Sequence, residues 1–132
     1  GANVTGFEID EEALSIAKEY SEKNKLEITW INQAIEGIDD TFDTVIMNPP
    51  FGSQRPGADK IFLEKAINIA KHIWTIHLSE TRKFIEKIVD SNDYKIVELY
   101  EFDYPLKNTM PFHSKDTKVE NAILYHIASL PK

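Results

Sequence analysis

Two hydrophobic periodicities alternate along this chain, and their order leaves few folds open. Val4-Thr5-Gly6-Phe7-Glu8-Ile9 reads as a short buried strand. Asp10 then offers a helix N-cap, with Glu11 and Glu12 in the first turn, where the helix dipole favours acids. Ala13, Leu14, Ala17 and Tyr20 recur at helical spacing. Leu26, Ile28 and Trp30 alternate with Glu27, Thr29 and Ile31, the pattern of a second strand with one drier face. Asp43-Thr44-Val45-Ile46-Met47 is a third strand, and it runs into Asn48-Pro49-Pro50-Phe51. Residues 52–58 hold glycine, serine and proline and read as a loop. Asp59 is placed to cap a helix with Phe62, Leu63, Ala66, Ile69 and Ala70 on one face. Residues 73–78 are strand-like. Ser79 is placed to cap a further helix with Phe84, Ile85, Ile88 and Val89 apolar. Phe62 and Phe84 are expected in the core. Residues 94–104 and 120–127 close the chain as two strands.

The order is therefore β-α-β-β-α-β-α-β-β. Strands alternating with helices imply an α/β fold with a mostly parallel sheet covered on both faces. No helix fits between the last two strands, so they are expected to pair antiparallel. Composition supports one domain over residues 1–132. With 132 residues and 42% hydrophobic residues, the chain can bury a core. Its apolar runs are only a few residues long, so none spans a membrane as a helix. No charged-then-apolar leader stands at the start, so no secretory signal is expected. The chain has no cysteine, which excludes disulfides and thiolate metal sites and suits a reducing cytoplasm. The four histidines show no ligand spacing, so no metal site is expected.

The net charge of −7 argues against a general nucleic-acid binder but hides an asymmetry. Residues 1–43 carry 11 acids and 3 bases, whereas residues 44–132 carry 11 acids and 12 bases. A polyanion would be met by the second part, where Arg55, Lys60, Arg82, Lys107, Lys115 and Lys118 lie. An ordinary mixed-charge surface is the bland alternative.

Chemistry concentrates at Asn48-Pro49-Pro50-Phe51. In doubly wound sheets ligands collect beyond the carboxyl ends of strands. Two successive prolines fix their own φ angles, and each pushes the residue before it into an extended conformation. The carbonyls of Asn48 and Pro49 are therefore held in preset directions, with few competing N–H donors. Asn48 adds a side-chain carbonyl, and Phe51 adds a flat apolar face. Such a strand end suits a planar amino group whose ring stacks alongside. The Asn48 side-chain oxygen and the Pro49 carbonyl would accept both amine hydrogens and aim the nitrogen lone pair at an electrophile. Glu8 ends the first strand before a capped helix. There an acid either accepts hydrogen bonds from ribose hydroxyls or stabilises the helix N-terminus.

Gly6-Phe7-Glu8-Ile9-Asp10 with Ala13-Leu14, followed by Phe42-Asp43-Thr44-Val45-Ile46-Met47-Asn48-Pro49-Pro50-Phe51-Gly52, resembles a class I S-adenosylmethionine-dependent methyltransferase. More closely, it resembles the methyltransferase-like five group of ribosomal-RNA adenosine-N6 methyltransferases and their archaeal relatives. His77-Leu78-Ser79-Glu80-Thr81-Arg82 and Phe112-His113-Ser114-Lys115 are similar to pieces of that group's later half. The resemblance implies a Rossmann-like methyltransferase sheet with an antiparallel last strand and S-adenosylmethionine as cofactor. It assigns Glu8, with Ile9 beside it, to the cofactor ribose, and Ala34 and Ile35 to the edge of the cofactor adenine. Asn48, Pro49, Pro50 and Phe51 match the catalytic motif, with Asn48 also near the cofactor. The family has an aspartate where Ala34 stands, so only backbone or Gln33 would replace that acceptor. The family's first strand and glycine-rich loop have no counterpart within residues 1–132. In the family sheet that strand lies between the strand at residues 4–9 and the strand at residues 43–47. The chain is thus expected to be an amino-terminally incomplete catalytic domain of a longer parent.

On this reading a target adenosine leaves its stack and inserts toward Phe51. The loop at residues 53–57 closes over it with Arg55 near phosphate, and Lys107, His113, Lys115 and Lys118 grip the RNA backbone. The strand at residues 26–31, from Leu26 to Ile31, is expected at a sheet edge, where the resemblance implies a small zinc-binding partner. Trp30 or Ile31 would then stand unusually exposed, unless Trp30 packs on the neighbouring helix. Guanine N2, DNA or a protein amide remain alternative acceptors. A non-catalytic fragment that binds RNA or a partner protein is the alternative of a different kind.

Overall fold

The computed structural model describes residues 2–50, 57–107 and 117–131; the side chains at 106, 107, 117 and 118 are outside that description. Their elements run β1 (Val4–Glu8), α1 (Glu11–Lys23), β2 (Ile28–Asn32), β3 (Phe42–Met47), α2 (Ala58–Ile69), β4 (Ala70–Leu78), α3 (Arg82–Ser91), β5 (Tyr94–Lys107) and β6 (Thr117–Ser129). Short 3-10 turns at Ile35–Gly37 and Ser79–Thr81 sit between them. This is the expected order of strands and helices. Among the described residues no helix is long and apolar enough to cross a membrane.

The chain divides into two compact units, Gly1–Asp40 and Thr41–Lys132. In the first, β1 and β2 pair in parallel, with Val4 opposite Ile28 and Glu8 opposite Asn32. Helix α1 starts where expected: Asp10 is extended and its carboxylate accepts from the Glu12 N–H at 2.9 Å. Trp30 does not stand out from β2. It is half-buried over Gly6, its register partner, and its indole N–H donates to Ser21 Oγ of α1 at 3.1 Å. Ile31 is half-buried as well, so of the two expectations for this strand the packing of Trp30 on the neighbouring helix holds and unusual exposure does not. Burying the indole on the helix removes more apolar surface from water than presenting it at the edge. Leu26 precedes β2 rather than lying in it, because Lys25 takes a positive φ of 55° and ends the turn after α1 there.

In the second unit the sheet order is β3-β4-β6-β5. β3 and β4 are parallel, joined through α2, and β6 is antiparallel to both β4 and β5. The last strand therefore inserts between its two predecessors. Alternation puts Ile73, Thr75 and His77 of β4 and Ile123, Tyr125 and Ile127 of β6 in the core, with Leu63 and Ala66 of α2 and Ile85 and Val89 of α3. Three expectations are corrected here. Asp59 does not cap α2: Gly57 does so at φ 80°, a left-handed conformation that favours glycine, and Asp59 is buried in the first turn. Ser79 does not cap α3. It belongs to the 3-10 turn and its hydroxyl donates to the Asn121 carbonyl of β6 at 2.9 Å. Phe84 is 41% exposed rather than core, because Ile85, Ile88 and Val89 already fill the buried stripe of α3.

β5 carries a bulge between Ile96 and Glu98: Ile96 faces Ile127, but Glu98 faces His126, the next residue of β6. Ile96 thus points into the core, while Glu98, Tyr100, Phe102 and Tyr104 line the opposite face.

Candidate active site

Each unit carries its own group of polar residues at the carboxyl end of a parallel strand, and they are described separately. In the first unit, Glu8 closes β1. Its Oε2 accepts from the Ile9 N–H at 3.1 Å, and its Oε1 has no partner among the described residues. Asn32, at the end of β2, clips the two strand ends together: its Nδ2 donates to the carbonyls of Glu8 and Ile9, both at 3.0 Å. The Gln33 N–H adds a bond to the Glu8 carbonyl at 3.2 Å. Ile9 is 68% exposed beyond this clip. Ala34 and Ile35 are half-buried at the start of the 3-10 turn. Gln33 lies against Gly37 and donates its side-chain amide to the Gly37 carbonyl, so that amide is committed locally. A fixed carboxylate with an open oxygen suits a vicinal diol, and the aliphatic side chains of Ile9 and Ile35 suit the faces of a planar ring. Ala34 offers no side-chain acceptor for an amine. Asn32 was not legible as a site residue, because its role lies in tying two strands rather than in touching a ligand.

In the second unit, Asn48, Pro49 and Pro50 follow β3 directly. Asn48 is exposed, Pro49 buried and Pro50 half-buried. A buried Pro49 anchors the turn and leaves Asn48 at the surface. The Asn48 Nδ2 lies 3.5 Å from the hydroxyl of Tyr104 at the far end of β5 and donates to it. With the amide nitrogen so directed, Oδ1 is the atom left to accept. Tyr104 is half-buried beside Phe102, with ring centroids 6.1 Å apart. Sequence spacing could not reveal Tyr104, since it stands 56 residues from Asn48. Phe51, Arg55, His113 and Lys115 lie outside the described residues. Lys118 lies within β6, and its side chain is likewise outside them. The groove lined by Phe42, Ile69, Ala70 and Tyr94 is at the opposite ends of β3 and β4 from Asn48.

Beneath this turn, Thr75 and His77 of β4 are fully buried. Tyr125 packs near His77, with ring centroids 6.0 Å apart, and burial pushes its phenol up to about 12.

A parallel β1-β2 pair ended by the acid Glu8, and a β3-β4-β6-β5 sheet with Asn-Pro-Pro after β3 and an antiparallel last strand, are features of a class I methyltransferase. The family model of the methyltransferase small domain matches residues 1–75. The chain belongs to that family. An uncharacterized protein of Methanocaldococcus jannaschii is 32% identical over 95% of this chain and 63% of its own length. The rRNA N(6)-adenosine-methyltransferase METTL5 of Danio rerio is 36% identical over 83% of this chain and 56% of its own length. A candidate RNA methyltransferase of Pyrococcus horikoshii has a solved structure that matches with a TM-score of 0.88 at 30% identity, over 98% of this chain and 64% of that one. The chain thus spans less than two thirds of each of these proteins.

Proposed function

We propose that this chain supplies catalytic residues of an S-adenosylmethionine-dependent N6-adenosine methyltransferase that acts on RNA, with cytoplasmic ribosomal RNA as the acceptor. We read both units as parts of one catalytic domain. The observation that carries the reading is the Asn48-Pro49-Pro50 turn at the end of β3, with Asn48 exposed and its amide nitrogen directed to Tyr104. The likeness to a ribosomal-RNA N6-adenosine methyltransferase supports the choice of acceptor.

Glu8 would hold the cofactor ribose through its open carboxylate oxygen, with Ile9, Ala34 and Ile35 along the adenine. S-adenosylmethionine, when bound, would supply an electrophilic methyl group on a sulfonium; the amine that takes it would lose one proton, with S-adenosylhomocysteine as the other product. Asn48 Oδ1 and the Pro49 carbonyl accept the two amine hydrogens of the target adenosine. This draws the nitrogen lone pair out of conjugation and fixes its direction. Phe51 stacks on the flipped base. Arg55, His113, Lys115 and Lys118 contact the RNA backbone. β2 keeps one edge unpaired among the described residues, and a small zinc-binding activator would add a strand there through its backbone, Trp30 being turned onto α1.

The test is product analysis. The complete protein, given methyl-labelled cofactor and ribosomal RNA, should yield labelled N6-methyladenosine on digestion. Label recovered only as N2-methylguanosine, in DNA or in protein would overturn the reading. Asn48→Ala should lower kcat by about 100-fold; unchanged turnover would remove Asn48 from the amine.

A further inference from the structure

We propose that Asp59, His77 and Thr75 form a buried positioning relay that sets the turn carrying Asn48. The proposal rests on the methyltransferase reading above. His77 is fully buried between two partners: its Nε2 lies 2.8 Å from Thr75 Oγ1 and its Nδ1 lies 3.3 Å from Asp59 Oδ1. A carboxylate can only accept, so Nδ1 carries the proton and donates to Asp59. In the neutral imidazole Nε2 is then the acceptor, and the Thr75 hydroxyl donates to it. Hydroxyl, imidazole and carboxylate stand in the order of a nucleophile relay. Thr75 is fully buried, however, and reaches no substrate. The relay holds structure in place rather than moving protons to a reactant.

What it holds is fixed by the topology. Thr75 pairs in register with Met47, the residue before Asn48. Asp59 is the second residue of α2, two residues after the left-handed cap at Gly57. The imidazole therefore links the first turn of α2 to β4 at Thr75, the position whose backbone pairs with the end of β3 that leads into Asn48. Gly57 provides no side-chain cap for α2 and holds the helix start only through its carbonyl, which accepts from the Ile61 N–H at 3.2 Å. Asp59 adds to that hold by turning inward. A buried carboxylate without a partner is strongly unfavourable, so the first turn of α2 stays seated only while His77 receives it.

The test uses the complete protein with steady-state methyl transfer, calorimetric binding of S-adenosylhomocysteine and amide exchange. Asp59→Asn removes the charge at constant size. It should lower kcat about tenfold and raise the KM for RNA, while the cofactor Kd changes by less than about twofold. His77→Asn keeps a donor for Asp59 and should retain most of the turnover that His77→Phe loses. Amides at the start of α2 should exchange about tenfold faster in Asp59→Asn, with the rest of α2 unchanged. Unchanged kcat and KM in Asp59→Asn would overturn the relay, as would equal losses of turnover and cofactor affinity. A wild-type protein that methylates no adenosine would overturn the adenosine-methyltransferase reading instead. The relay would then be decided by exchange at the start of α2, and unaltered exchange would refute it.

Discussion

Asn48 and Tyr104 meet at 3.5 Å across the second unit, and the direction of one amide depends on that meeting. An asparagine amide offers a donor and an acceptor that are nearly equal in shape, so a partner on the nitrogen decides which way the oxygen faces. Tyr104→Phe removes the partner and keeps the ring. It should lower kcat by roughly five- to tenfold, the worth of about 1 kcal/mol, and leave the cofactor Kd unchanged in calorimetry. Tyr125 presents the opposite case. Its hydroxyl is buried with no hydrogen-bond partner among the described residues. Tyr125→Phe should therefore raise stability by about 1 kcal/mol in urea denaturation at neutral pH. Burial raises the folded pKa to about 12, above the ordinary value of 10. The unfolded phenol then ionises first, and wild-type stability falls between pH 10 and about 12. Tyr125→Phe should flatten that alkaline decline; an unchanged slope would show that this phenol is not the cause. At this scale the sequence exposed Asn48 and Glu8, whose neighbours are contiguous in the chain. Tyr104, His77 and Asp59 stayed hidden because their partners come from other elements.

Elements followed local rules where side chains act within a few residues. Asp10 caps α1 as its position before Glu11 and Glu12 predicts, and Asp10→Ala should cost about 1 kcal/mol by thermal or urea unfolding. β1 and β2 depend on a close approach. A Cβ on Gly6 would run into the Trp30 ring, so Gly6→Ala must push the indole off Ser21. That should cost about 1–3 kcal/mol and change the Trp30 fluorescence maximum; a silent substitution would mean the ring moves freely. Local rules failed where a residue had a stronger distant partner. Asp59 and Ser79 are good cap residues, yet His77 and the Asn121 carbonyl claim them. β5 shows the same limit. A strict period of two would set Tyr94 through Tyr104 on one face, but the bulge after Ile96 reverses the second half and so turns Tyr104 away from the core.

For the molecule as a whole, the charge asymmetry gives the widest prediction. Residues 1–43 are strongly acidic, and the bases assigned to RNA all follow them. RNA binding should weaken with salt, with a logarithmic slope of about −0.7 per phosphate neutralised. Lys118→Ala should reduce that slope by about one such increment, and an unaltered slope would remove Lys118 from the RNA contact. The order of strands and helices and the antiparallel pairing of the last two strands were legible, because periodicity and chain order are properties of neighbouring residues. The sequence by itself determined the α/β sheet and the Asn48-Pro49-Pro50 segment that follows β3. Only the tertiary structure decided that β6 inserts between β4 and β5, that Tyr104 faces Asn48 and that His77 joins Asp59 to Thr75. Those outcomes depend on register and on which buried polar groups must find partners, and both are settled when distant segments pack.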